Sequence, residues 1–216
     1  MSVEDDRSAV PLVLLTGPLA PAGSVLALRT ALERLGSVLT PALPLTPARP
    51  ADLSRPALAV LAAVSAANAD GAVLCGIGLG AMVALQVAAT HPRRVSSLLL
   101  CTAVQPASAT VRSVHQGMTG VLPARVLQLL PGGRPQAVAA LDQVRRPDYL
   151  PLTPLVTPPA HVLYGEHDRL NDRASRRLAH ALPNATAVAV PGCGPGWLTS
   201  QPDRYAEAAA RCLRGW

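Results

Sequence analysis

The chain has no lysine and no phenylalanine anywhere in its 216 residues. Without a lysine amine, chemistry through a protein Schiff base is excluded. Aromatic residues are only 2% of the chain, two Trp and three Tyr. The core must therefore be filled by Leu, Val and Ala, and stacking platforms for bases or sugars are scarce, so nucleic acid is not an expected partner. Cys75, Cys101, Cys193 and Cys212 show no CxxC spacing, and His91, His115, His161 and His180 show no metal-ligand spacing. No metal site and no cofactor are expected. The N-terminal stretch carries Glu4, Asp5 and Asp6 and has no apolar region of the secretory kind. Cytoplasmic residence with reduced thiols is the expectation.

Half of the residues are hydrophobic, and the length suits a single domain over 1–216 with a substantial core. The formal charge of +6 is spread over singles and pairs such as Arg93-Arg94, Arg145-Arg146 and Arg176-Arg177, the pattern of ordinary solvated faces. Gly71 to Thr90 is uncharged for the length of a membrane span. Its alternating glycines and the strand-like Ala72-Val-Leu-Cys75 argue instead for a buried strand followed by a buried helix, and no membrane partner is expected.

Short apolar runs recur between helical patterns, at Val10 to Leu15, Val38-Leu39, Ala72 to Cys75, Val95 to Cys101, His161 to Tyr164 and Thr186 to Val190. That rhythm predicts successive βα units, an α/β fold with a mainly parallel sheet of about six strands and helices on both faces. Helices are predicted at Ser24 to Leu35, Ala57 to Ala67, Leu79 to Thr90, Asn171 to Ala181 and Asp203 to Leu213. Across 105–155 the rhythm breaks under frequent prolines. A small helical cap is expected there, with short helices at Ala124 to Leu130 and Ala137 to Val144.

The most informative run is Ala72-Val-Leu-Cys75-Gly76-Ile-Gly78-Leu-Gly80-Ala-Met-Val-Ala-Leu. It resembles the nucleophile elbow of the α/β-hydrolase family, Gly-x-Ser-x-Gly, in which a sharp strand-to-helix turn presents a serine hydroxyl. Ala88-Ala-Thr-His91-Pro92-Arg-Arg-Val95 resembles the family's next helix end and strand. Val162-Leu-Tyr-Gly165-Glu-His-Asp168 resembles the strand and loop that deliver the triad acid. Val190-Pro-Gly192-Cys-Gly194-Pro195-Gly196 is similar to the catalytic-histidine loop. The resemblance covers most of 10–215 with a reduced N-terminus, and it implies the α/β-hydrolase fold.

Carried over by position, the resemblance puts Asp168 in the acid's place, Gly78 in the nucleophile's and Pro195 in the histidine's. Acyl transfer of this kind needs a nucleophile, a base within hydrogen-bond reach and an acid that orients the base. Two of these roles are empty. The oxyanion pocket, expected around Pro18, Leu19, Leu79 and Cys193, also loses a donor because Pro18 has no N–H. One such loss costs about a hundredfold to a thousandfold in rate. Gly78 has a structural reading too, since glycine accepts the strained elbow conformation without a Cβ penalty.

Gly76-x-Gly78-x-x-Ala81 also fits the dinucleotide fingerprint by spacing. The ribose-binding acid is missing, because no Asp or Glu occurs between Asp70 and Asp142. Cys75 and Cys101 read as small core residues or pocket lining, and Glu166 and His167 as solvent-facing. The expected function is a repurposed, non-hydrolytic enzyme acting on a hydrophobic small molecule by proton transfer, elimination, cyclisation or isomerisation. Asp168 would be its acid or base, with the helix start at Leu79 and Gly80 stabilising negative charge. The alternatives are a non-catalytic protein binding a ligand or partner in the same cleft, and a weak esterase using water or Cys193.

Overall fold

A computed structural model of the protein describes residues 10–17, 20–44, 53–101 and 150–214. The strands are β1 (Leu12–Leu15), β2 (Val38–Leu39), β3 (Ala72–Ile77), β4 (Val95–Cys101), β5 (Ala160–Gly165) and β6 (Ala185–Val190). They form one sheet in the order β2-β1-β3-β4-β5-β6, and every neighbouring pair is parallel. The helices are α1 (Ala22–Leu32), α2 (Ser54–Ala66), α3 (Leu79–Thr90), α4 (Arg169–Ala181), α5 (Trp197–Ser200) and α6 (Pro202–Arg214). This is the α/β-hydrolase fold that the motifs imply. The expected helices within 105–149, together with Pro18 and Leu19, lie outside the described residues. Of the expected cap, residues 150–155 are described, as a short tight helical segment.

The strand order dictates which face each helix covers. From β1 the chain steps outward through α1 to β2, then crosses back through α2 to β3 and continues the other way through α3 and α4. Right-handed crossovers in opposite directions require opposite faces. Accordingly Leu28, Ala31 and Leu32 of α1 share one core layer with Tyr205, Ala208 and Ala209 of α6. Val60 and Val64 of α2, most of α3, and Leu178 of α4 fill the other.

Side chains alternate across the strands. Leu12, Leu14, Val73, Cys75, Leu99 and Cys101 face α1 and α6, while Val13, Leu15, Leu74, Leu98 and Leu100 face α2 and α3. Both faces are covered, which is why these strands read as unbroken apolar runs rather than as a polar-apolar alternation. The uncharged stretch Gly71 to Thr90 divides into β3 and α3. No helix among the described residues is long and apolar enough to cross a membrane.

Candidate functional site

Gly78 ends β3 and caps α3 with φ 58° and ψ −120°. An L side chain held in such a region carries about 1–3 kcal/mol of strain, and glycine avoids it. The turn is tied down by two backbone bonds: Gly78 N–H donates to the Cys101 carbonyl at 3.0 Å, and Ala81 N–H donates to the Gly78 carbonyl at 3.0 Å. The flanking glycines let α3 lie against the sheet. A Cβ on Gly80 would fall 2.0 Å from the Leu15 carbonyl oxygen, and one on Gly76 would fall 2.6 Å from Ala81 Cα. A Cβ on Gly78 itself would meet nothing within 4 Å among the described residues. The turn thus has the sharp geometry of an elbow, and among the described residues the space where a side chain at position 78 would project is open.

Asp168 follows β5 and is 1% exposed. It caps the N-terminus of α4: Oδ1 accepts from Asn171 N–H at 3.2 Å and Oδ2 from Asn171 Nδ2 at 2.6 Å. Both carboxylate oxygens therefore have a partner within the cap itself. α4 thus begins at Arg169, two residues before the expected Asn171, with Asp168 as its cap.

The loop after β6 is stitched to the same end of β5. Glu166 N–H donates to the Val190 carbonyl at 3.0 Å and His167 N–H to the Cys193 carbonyl at 2.8 Å. Gly192 N–H donates to Glu166 Oε2 at 3.0 Å. The Glu166 and His167 side chains are exposed, as expected. Cys193 is buried; its thiol lies 3.6 Å from Gln201 Oε1, and burial pushes its pKa up. Pro195 is exposed, and Trp197 two residues on is buried with its ring centroid 6.1 Å from that of Tyr205. Cys75 and Cys101 lie in the core at the ends of their strands, and burial pushes the Cys75 thiol up to about 12.

A cavity of about 230 Å³ opens beside the elbow, with Thr16, Ser24, Val25, Ile77, Trp197 and Thr199 in its wall. It sits at the carboxyl ends of β1 and β3, the neighbouring strands from which the chain departs in opposite directions. Open α/β sheets bind ligands at such switch points. Ile77 directly precedes Gly78, and Gly196, also in the wall, directly follows Pro195. The cavity therefore joins the elbow to the loop after β6. Asp168, Leu79 and Cys193 are not part of its wall. Its polar groups are hydroxyls, and no titratable side chain lines it among the described residues. The same residues contain no cluster of His, Cys, Asp or Glu able to hold a metal ion.

Reading the sequence alone missed α5 and the α1 wall, because a four-residue helix shows no periodicity and the wall joins segments far apart in the chain. The scarcity of aromatics was the one available signal for Trp197.

Several solved structures share this architecture. An enol-lactonase from Burkholderia xenovorans LB400 is 18% identical with a TM-score of 0.75, over 98% of this chain and 94% of that chain. A thermophilic esterase from Thermogutta terrifontis is 23% identical with a TM-score of 0.69, over 96% of this chain and 90% of that chain. MenH from S. aureus is 15% identical with a TM-score of 0.74, over 98% of this chain and 96% of that chain. At these identities the likeness speaks for the fold alone. No curated protein sequence matches the chain. A family model described as the alpha/beta hydrolase family matches residues 12–208, from the first residue of β1 into α6. With the sheet order, the elbow and this match in agreement, the chain belongs to the alpha/beta hydrolase family.

Proposed function

We propose that this member of the family binds a small hydrophobic molecule in the cavity beside the elbow and does not hydrolyse it by a serine mechanism. One observation carries the reading: the cavity is walled by apolar side chains and a few hydroxyls, with no titratable group among the described residues. Such a site can select a ligand by shape and apolar contact. Among the described residues it holds no side chain that moves a proton at neutral pH. Gly78 has no hydroxyl and Pro195 has no ring nitrogen able to act as a base, so the serine–histidine pair required for acyl transfer is not supplied at the positions the family uses.

A repurposed enzyme with Asp168 as acid or base is the second reading. It is favoured by a carboxylate buried at the carboxyl end of β5, but Asn171 occupies both of its oxygens. Capping α4 accounts for that carboxylate without any catalytic role. A Cys193 nucleophile has less support, since the thiol is buried, lies against Gln201 and has a raised pKa. Four buried thiols suit a reducing compartment, and residence in the cytoplasm is proposed on that ground.

Calorimetric titration with ethyl butyrate tests the binding reading. Saturable binding that is abolished by Ser24→Trp, which fills the cavity from the α1 wall, is the expected result. Binding unaffected by Ser24→Trp would move the site elsewhere, and turnover lost in Asp168→Asn would favour the second reading.

A further inference from the structure

On the opposite face of the sheet from the apolar cavity, α4 forms one wall of a groove of about 430 Å³ lined by Leu150, Arg173, Arg176, Arg177, His180 and Ala181. The four basic residues are spaced three and four apart and share one stripe of the helix. No carboxylate lines the groove among the described residues. Asp172 is the one carboxylate on α4, and it pairs with Arg176. Arg176 also lies over the Tyr164 ring, 5.1 Å from its centroid. That guanidinium is therefore held from two sides before any ligand arrives.

Arg173 and Arg177 are exposed and have no ion pair among the described residues. Together with Arg169 they repeat arginine every four residues, a like-charge arrangement that disfavours the helix. The helix dipole accounts for a cation near the last turn but not for Arg173. Packing does not account for these arginines either, since their heads are in solvent. An anion in the groove would turn the repulsion into attraction. Guanidinium forks match phosphate oxygens two at a time, and Leu150 and Ala181 offer an apolar edge to the rest of a ligand.

We propose that this groove binds a phosphate-bearing small molecule, with Arg173 and Arg177 forking its phosphate oxygens and the pinned Arg176 completing the site. The proposal is independent of what occupies the apolar cavity.

Calorimetry with pyrophosphate at low salt, on the full chain, tests it. Saturable binding is expected, weakened by about tenfold or more in Arg173→Gln/Arg177→Gln. Arg93→Gln/Arg211→Gln removes the same charge elsewhere and should leave the affinity within about twofold. Arg173→Lys/Arg177→Lys keeps the charge without the fork, and an intermediate affinity is expected. Circular-dichroism melting of each variant checks that all remain folded. No saturable binding by the native chain, or equal loss in both glutamine variants, would overturn the proposal. Association with phosphatidylglycerol vesicles but not with pyrophosphate would overturn it as well, because the charge would then serve a lipid surface.

Discussion

At the turn after β3, the backbone bends sharply at Gly78, a residue with no side chain. Its shape comes from backbone contacts that need no side chain at position 78: Gly78 is held through its own N–H and carbonyl, and α3 approaches β1 so closely at Gly80 that a Cβ would overlap the Leu15 carbonyl. In the loop after β6 the arrangement is the reverse. Backbone bonds to Glu166 and His167 hold the start of the loop, buried Cys193 and Trp197 anchor it to the core, and Pro195 is left facing solvent between them. The elbow is thus fixed by close backbone approach and the loop by buried side chains. Backbone alone sets the geometry at the elbow, whereas packing of side chains sets it in the loop.

Breaking each region should expose this difference. Gly80→Ala is expected to be the most damaging change, about 4 kcal/mol or more, because α3 would have to leave the sheet. Thermal melting should show a fall on the order of 10 °C or more, or no folded protein at all. Trp197→Ala should cost about 3–4 kcal/mol by opening a void where the loop meets Tyr205; a melting curve close to native would show that the loop does not depend on this anchor. Asp168→Ala should cost about 1–2 kcal/mol as a lost helix cap, while Asp168→Asn, which still accepts from Asn171 N–H and can pair its new NH2 once the Asn171 amide turns its oxygen inward, should cost less. Equal losses in denaturant titration would contradict the capping role. Gly78→Ser should be the mildest backbone change, about 1 kcal/mol, since the positive φ resists it while no described residue crowds the new side chain.

The two regions also differ in how legible they were. The apolar runs predicted the strands, because a doubly covered parallel sheet leaves little polar interruption, and α3 has the predicted bounds, Leu79–Thr90. α1 begins two residues earlier than expected, directly after Pro21, and ends at Leu32, where Leu35 N–H turns back to the Leu32 carbonyl. The apolar periodicity gave its face but not its ends. Gly76, Gly78 and Gly80 could be read as an elbow because each glycine answers to a local backbone requirement. The cavity could not be read in this way, because its wall is assembled from β1, α1, β3 and α5 only after folding. Asp168 shows a further limit: its position in the chain suggested acid chemistry, and only the contacts reveal how fully Asn171 engages it.

The most direct test of the account is the hydrolysis of p-nitrophenyl butyrate by the native chain, beside Asp168→Asn and the Gly78→Ser/Pro195→His double variant. The native chain is predicted to release nitrophenol no faster than the uncatalysed reaction. Native hydrolysis that disappears in Asp168→Asn would contradict the account and make this carboxylate part of a working catalytic site.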